Sequence, residues 1–172
     1  NDDPLWLIAA VAAYIKETGD ATILDHPTPF DNKPGSVVPL MEHLRRSFRF
    51  IVEHKGPHGL PQIGHADWND CLKLGYHGES LFVAFQLRLG LTTYADISER
   101  LGKKDEAAWA LAQRDTLDSN IQKKCWDGKW FVWAIAEDGT VYGTQSIEEG
   151  QIYFNTQVWA VMSSAATAEQ AR

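Results

Sequence analysis

The chain has 172 residues, enough to bury a real core, and its 44% hydrophobic and 23% charged content is ordinary for a globular domain. The formal net charge of −7 disfavours nucleic acid and anionic membrane surfaces as partners, because both attract basic faces. No apolar run reaches the ~18 residues that a membrane span requires. Cys71 and Cys125 fit no structural zinc spacing, so we expect reduced thiols in a cytoplasmic protein.

Five helices are predicted along the chain. The first has Asp3 as its N-cap and Pro4 at its first helical position, and it stops at Gly19. Its apolar residues surround nearly the whole helix, which predicts burial on more than one side. The other predicted helices cover approximately residues 38–52, 79–101 with a break that Gly90 could cause, 105–123 with Ala108, Leu111, Leu117 and Ile121 on the inner side, and 155–162.

Irregular segments separate these helices. Residues 23–35, which include Asn32, form a loop by composition, whereas Asp127-Gly128 and Asp138-Gly139 are turn signals on either side of a hairpin at 130–135. The order of elements predicts an all-α domain of antiparallel helix pairs with a small β-hairpin insertion. The pattern leaves open whether the helices form a bundle, a solenoid or a ring.

One connection, residues 55–79, is far longer than helix connections usually are. Asp67, Trp68, Asn69 and Asp70 stand at its centre. An indole offers a flat apolar face to a sugar ring, carboxylates and amides bind its hydroxyl groups, and a glycosidic oxygen leaves when a carboxylic acid protonates it. Taken as residues alone, the same four positions also fit turn caps and a core tryptophan.

Four blocks of the chain resemble one protein family. The segment His65-Ala66-Asp67-Trp68-Asn69-Asp70-Cys71-Leu72 is similar to the catalytic signature of the cellobiose phosphorylase family, glycoside hydrolase family 94. Residues 1–7 (NDDPLWL), 78–80 (GES) and 149–160 (EGQIYFNTQVWA) resemble further segments of that family. The chain departs from the family pattern at Lys73, Thr156 and Val158, where asparagine, proline and serine are common.

The resemblance implies a fold and a reaction. Residues 1–172 would be a single fragment of the catalytic domain, a stretch of an (α/α)6 barrel. The reaction would be the reversible phosphorolysis of a β-linked disaccharide, most simply cellobiose, to an α-sugar 1-phosphate and a free sugar. Inorganic phosphate, a co-substrate, would attack with inversion, and neither a metal nor an organic cofactor is implied.

The resemblance also implies roles for particular residues. Asp70 would be the general acid, and Trp68 would line the donor-sugar site, with Asp67, Asn69 and Gln157 as further predicted substrate ligands. The family's other donor-site residues and its phosphate-binding residues lie outside the chain. We therefore expect the chain to be inactive alone. We also expect its parent protein to be a homodimer.

Other interpretations stay open. An inverting hydrolase on the same barrel would need a second carboxylate to activate water, for which Glu148 and Glu149 are candidates. A non-catalytic carbohydrate-binding fragment is the alternative from another class. Gln157 and Asn155 either cap the fifth helix or point into the site.

Two further residue sets are assigned to structure rather than to function. A metal site built on His54, His58, His65 and His77 is disfavoured, because Gly56-Pro57 interrupts the helix that would align the first two. Tryptophans 126, 130 and 133 could form a sugar platform, but aromatic residues on a short hairpin more often pack it against helices. We expect packing.

Overall fold

The computed structural model describes residues 2–31 and 33–172, so Asn1 of the first resemblance block and Asn32 of the predicted loop lie outside it. Within these residues the chain is mostly helical, as predicted, with two very small sheets. The helices are α1 (Asp3–Thr18), α2 (Leu40–Glu53), α3 (Leu81–Arg100), α4 (Lys104–Lys124) and α5 (Phe154–Met162), and a short 3₁₀ helix (Ala21–Asp25) follows α1. The strands are β1 (Pro27–Thr28), β2 (Val38–Pro39), β3 (Glu79–Ser80), β4 (Ala134–Ile135) and β5 (Val141–Tyr142).

The start of α1 differs from the prediction by one residue. Asp2, not Asp3, occupies the N-cap, and its carboxylate accepts a hydrogen bond from Nε1 of Trp6 at 2.7 Å. Side-chain bonding to the indole takes the place of a bond to the free amides of the first turn. The helix ends as expected, because Gly19 adopts the left-handed conformation at φ 72°.

The burial of α1 is also narrower than predicted. Leu5, Ile8 and Val11 are buried, whereas Trp6 and the alanines at 9, 10 and 13 are exposed. Helices α2 and α3 both pack on this buried stripe. The prediction of burial on more than one side is therefore wrong for the described residues.

Helix α3 is the centre of the fold, and it packs against α1, α4 and α5. It passes through Gly90 without the break that the sequence suggested. A Cβ atom at Gly90 would lie 2.9 Å from Phe48 of α2 and 3.3 Å from Ile8 of α1. This glycine therefore serves the close approach of three helices rather than a kink.

Helix α4 covers one side of α3. Ala107, Ala110, Leu117 and Ile121 are its buried residues, and Leu111 packs partly buried against the same core. The predicted inner face therefore holds for Leu111, Leu117 and Ile121. Ala108 is exposed and its place on that face was predicted wrongly, because Ala107 is the buried residue of that turn. Arg88 of α3 joins α4 and the end of α5, through a 2.6 Å hydrogen bond to Asp118 and a hydrogen bond to the carbonyl oxygen of Ser163.

A hairpin exists, but its strands lie at Ala134–Ile135 and Val141–Tyr142 rather than within the predicted residues 130–135, and a third strand joins it. Strands β4 and β5 pair in antiparallel fashion around the Asp138-Gly139 turn, and β3 pairs with the other edge of β4. The hairpin tryptophans pack as expected: the Trp133 ring stacks on Tyr153 at 3.7 Å, and Nε1 of Trp130 donates to the Gly143 carbonyl at 3.0 Å. The third strand ends the long connection of residues 55–79, which is thereby fixed to the hairpin.

Candidate active site

The connection at residues 55–79, called here the acid loop, is an ordered arm rather than a coil. Backbone amides of Ile63 and Gly64 donate to the carbonyls of Gly78 and Tyr76 at 2.7 and 3.1 Å, and the Ser80 amide donates to Pro61 at 3.2 Å. Residues 61–64 thus run beside residues 76–80 in a narrow ladder. The ladder leaves residues 65–75 as its tip.

The tip rests on the β4–β5 hairpin. Ile63 and Leu74 from the acid loop form a small buried cluster with Ala134 of β4. The amide of Glu137 donates to the carbonyl of Leu74 at 2.7 Å, which ties the two segments together along the backbone. Apolar contacts and a backbone hydrogen bond therefore both hold the tip against the hairpin.

Asp67 anchors the tip to the start of α3. The side chain is only 4% exposed, and its Oδ2 atom accepts a hydrogen bond from Oγ of Ser80 at 2.5 Å. Its Oδ1 atom accepts from the amide of Asn69 at 2.8 Å. Ser80 is at the same time the N-cap of α3, since its Oγ accepts from the amide of Val83 at 3.3 Å. The carboxylate therefore joins the tip to a fixed helix end.

Asn69 continues this chain of turns and presents Asp70 to solvent. Its Oδ1 atom accepts from the amide of Cys71 at 3.2 Å, and its carbonyl accepts from the amide of Leu72 at 3.0 Å. Such bonds from Asp and Asn side chains to the amide two residues later fix local turns. Asp70 lies between these bonds and is exposed, and no described residue bonds to its carboxylate. The group is free to meet a ligand.

Trp68, two residues before Asp70 in the chain, carries an indole that lies at the surface. It is 63% exposed, and its ring centroid lies 6.2 Å from that of Phe82 on α3. Phe82 in turn lies 5.3 Å from Trp159 of α5, which lies 5.9 Å from Trp6 of α1. A row of aromatic rings therefore links the tip to three helices and leaves the indole accessible to solvent.

Gln157 lies on a different part of the fold. Its Nε2 atom donates to the Phe131 carbonyl at 2.7 Å, and its Oε1 atom accepts from the Phe131 amide at 3.0 Å. Asn155 accepts from the amide of Thr156 at 2.8 Å, and the glutamates at 148 and 149 are exposed. Asp67, Trp68, Asn69 and Asp70 are consecutive in the chain and share the tip, whereas the structure bonds the Gln157 amide to Phe131 beside the hairpin.

Both cysteines are free thiols, as predicted, in contrasting places. Cys71 is exposed in the tip, next to Asp70. Cys125 is buried, and burial first and the nearby Glu79 carboxylate second raise the pKa of its thiol to about 12. Among residues 2–31 and 33–172 no three histidine, cysteine, aspartate or glutamate side chains are grouped so that they could hold a metal ion.

Sequence reasoning missed the residues that support the tip, namely Glu79, Ser80 and Phe82. A polar pair directly before a long apolar run was the available signal, because it marks a helix start. That signal identifies a cap. It does not reveal that the same two side chains reach back across the acid loop.

Two solved structures have a fold similar to that of the chain. The chain resembles a GH78 family rhamnosidase of Bacillus sp. GL1, with a TM-score of 0.71 and 19% identity over 95% of this chain and 16% of that one. A rhamnosidase from Klebsiella oxytoca matches with a TM-score of 0.67 and 16% identity over 98% of this chain and 28% of that one. At these identities the likeness concerns the fold alone.

Sequence relatives then define the family. The chain is 32% identical to a 3-O-beta-D-glucopyranosyl-beta-D-glucuronide phosphorylase of Paenibacillus borealis, 31% to an N,N'-diacetylchitobiose phosphorylase of Vibrio proteolyticus, and 29% to a cellobionic acid phosphorylase of Neurospora crassa. Each match covers 99% of this chain and 21–22% of the relative. The family described as the glycosyl hydrolase 94 superfamily, catalytic domain, matches residues 1–172, and the chain belongs to it.

Two further findings concern the extent of the chain and its helices. The chain spans about a fifth of the length of the curated relatives that it matches. Among the helices of the described residues, none combines the length and the apolar character needed to cross a membrane.

Proposed function

We propose that the chain is part of the (α/α)6-barrel catalytic domain of an inverting glycoside phosphorylase, with Asp70 as the general acid. The observation that carries the proposal is the placement of Asp70 in a family signature. Its carboxylate is exposed and has no hydrogen-bond partner among the described residues. It lies on a tip that Asp67 fixes and that also carries the exposed indole of Trp68, two positions earlier in the chain. An acid that must meet a substrate oxygen needs this combination of access and fixed backbone.

The proposed reaction breaks one bond to the anomeric carbon and forms another. Asp70 gives its proton to the glycosidic oxygen as the bond to the leaving sugar breaks. Inorganic phosphate attacks the anomeric carbon from the opposite face, which gives the α-sugar 1-phosphate. Phosphate is already anionic, so it needs no general base, and one enzymic carboxyl suffices where an inverting hydrolase uses two.

The other residues of the tip have supporting roles in this proposal. Trp68 packs its accessible face against the donor sugar. Asp67 and Asn69 stay predicted substrate ligands. Each oxygen of Asp67 accepts one hydrogen bond, from Ser80 or from Asn69, and can accept a second, so Asp67 also orients the tip, while Asn69 fixes the turn around Asp70. Gln157 stays a predicted sugar ligand, and its amide would have to leave Phe131 in order to bind.

Cellobiose is the proposed disaccharide. The named relatives are phosphorylases whose names specify different disaccharides, which supports the reaction class and leaves the choice of sugar to experiment. Disaccharide and inorganic phosphate are the proposed partners. Dimerisation of the parent and its cytoplasmic location stay predictions.

The test uses a parent protein of the full length of the family relatives, incubated with cellobiose with and without inorganic phosphate. Proton NMR identifies the products and the anomer. The proposal expects α-glucose 1-phosphate and free glucose only when phosphate is present. Two free glucose molecules regardless of phosphate would identify a hydrolase instead. Parallel reactions with N,N'-diacetylchitobiose and laminaribiose show which disaccharide the parent protein prefers.

A further inference from the structure

Glu79, the residue before Ser80, holds the beginning of the acid loop. It is 1% exposed, and its Oε1 atom accepts hydrogen bonds from the amides of His58 and Leu60 at 3.1 and 3.0 Å. Its Oε2 atom accepts from Nδ1 of His58 at 2.5 Å. One buried carboxylate therefore accepts three bonds from the turn at residues 56–60, some twenty residues earlier in the chain.

The same turn is shaped around this carboxylate. A Cβ atom at Gly56 would lie 2.5 Å from Cγ and Cδ of Glu79, so only glycine allows the contact. From the other side, Nζ of Lys124 at the end of α4 donates to the His58 carbonyl at 2.9 Å. The turn is fitted to Glu79 on one side and tied to α4 on the other.

Stability alone does not explain why a carboxylate is buried at position 79. Removing a charge from water costs free energy that its partners only partly return, and apolar residues of similar volume often stabilise a fold as well or better. What a buried, fully bonded carboxylate supplies is a single arrangement of its donors. Here the donors are the backbone and side chain at the start of the acid loop.

The two residues of β3 together fix the loop at two points. Glu79 holds the turn at 56–60, and Ser80 holds Asp67, whose other oxygen holds Asn69. The backbone bond from Ser80 to Pro61 lies between these two points. Asp70 follows directly after Asn69, so its backbone position depends on both.

We propose that Glu79 is a positioning residue for Asp70, and that Glu79 and Ser80 act as a two-residue clamp on the acid loop. The inference rests on the proposed function, since it names what sets the place of the acid. Glu79 touches no substrate in this account. Loss of its bonds lets the loop shift, and a displacement of the order of 1 Å at an acid can cost up to ~100-fold in rate.

The experiment compares Glu79→Gln with wild type in the full-length parent, using cellobiose and a dinitrophenyl β-glucoside with phosphate. The glycosidic oxygen of cellobiose needs a proton to leave, whereas dinitrophenolate does not. We expect kcat for cellobiose to fall roughly 10- to 100-fold with KM little changed. For the aryl glycoside we expect a change of less than about 3-fold, since misplacing the acid matters little there.

Two further variants and a second readout complete the test. If Glu79→Gln folds poorly, His58→Ala replaces it, because this side chain is partly exposed and bonds to Glu79. We expect His58→Ala to lower kcat for cellobiose by a smaller factor. Glu99→Gln is the matched control, because this exposed carboxylate lies near the end of α3, at the other end of that helix from Ser80. Hydrogen exchange over residues 56–72 should rise in Glu79→Gln and stay unchanged in Glu99→Gln.

The outcomes separate this inference from the proposed function. Equal losses on the two substrates, or unchanged exchange over residues 56–72, would overturn the role of Glu79. If the wild-type parent shows no phosphorolysis at all, the proposed function fails, and hydrogen exchange still decides whether the clamp exists.

Discussion

The Asp67–Ser80 bond shows how much a single contact decides at the scale of the residue. A carboxylate that is almost fully buried loses its hydration, and donors within the protein must replace the lost water. Ser80 provides one of those donors and the Asn69 amide provides the other. Removing the hydroxyl leaves one carboxylate oxygen without its partner.

Ser80→Ala should therefore lower the free energy of unfolding by about 1–3 kcal/mol, the cost of an unpaired buried acceptor together with a lost N-cap. Urea denaturation followed by circular dichroism measures it. Ser119→Ala, at an exposed position on α4, is the control and should change the value by less than about 0.5 kcal/mol. Equal effects of the two substitutions would contradict the anchoring role of Ser80.

The two cysteines provide a second test at this scale. Since the thiolate is the reactive form, the raised pKa of buried Cys125 and its lack of access both protect it. With a thiol reagent at about pH 8, we expect one fast reaction, at Cys71, and a second only after unfolding. The fast reaction should disappear in Cys71→Ser. Two fast reactions in the folded wild type would show that Cys125 is not buried.

The chemistry of the tip could be predicted from the sequence, whereas its support could not. Asp67, Trp68, Asn69 and Asp70 are neighbours in the chain, so any fold keeps them close. Ser80 is 13 residues from Asp67, and their contact depends on the path of the ladder between them. A long loop without periodicity gives no information about that path.

At the scale of the element, α3 shows two opposing effects at one position. Alanine is favoured over glycine inside a helix by about 1 kcal/mol, which would make Gly90 a weak point. The added Cβ, however, would meet Phe48 and Ile8 at 2.9 and 3.3 Å. These atoms belong to packed helices that have little room to move, and overpacking typically costs 1–3 kcal/mol.

We expect packing to decide, so that Gly90→Ala lowers the free energy of unfolding by up to about 2 kcal/mol despite the gain in helix propensity. Ala108→Gly, on the exposed face of α4, measures the propensity difference alone and should cost about 1 kcal/mol. Thermal unfolding of both variants provides the comparison. A more stable Gly90→Ala variant would mean that the three helices are not in close contact there.

Element positions were predicted well where periodicity is strong and poorly where it is weak. All five helices lie within a few residues of their predicted spans, because each carries several turns of apolar pattern. The strands are two residues long, too short for any alternation to reveal them. Strands β1, β2 and β3 were not predicted, and β2 lies where the second helix was expected to start. The N-cap of α1 was misplaced by one residue, a shift that the apolar pattern is too coarse to resolve.

At the scale of the whole molecule, apolar surface remains uncovered on two helices. On α5, Phe154 is 83% exposed, and Val161 and Met162 are also exposed; on α1, so are Trp6 and Tyr14. The chain spans about a fifth of its curated relatives, so the proposed barrel would place further helices against these faces. The mostly helical fold followed from the helix pattern, whereas the closed (α/α)6 ring stays a proposal.

The 172-residue chain alone is expected to show no phosphorolysis. It carries the proposed acid, but phosphate binding is expected to come from other parts of the parent. The parent and the isolated chain should be compared at equal concentration with cellobiose and phosphate, with release of glucose 1-phosphate as the readout. Equal turnover by both would refute the expectation and would locate a phosphate site within these residues.

The most direct test of the central claim is the dependence of an Asp70→Asn variant of the parent on its leaving group. If Asp70 is the general acid, phosphorolysis of cellobiose falls by roughly 10²- to 10⁴-fold, while dinitrophenyl β-glucoside, whose leaving group needs no proton, retains most of its rate. Equal losses on both substrates would show that Asp70 does not donate the proton, and undiminished turnover of cellobiose would remove it from the reaction altogether.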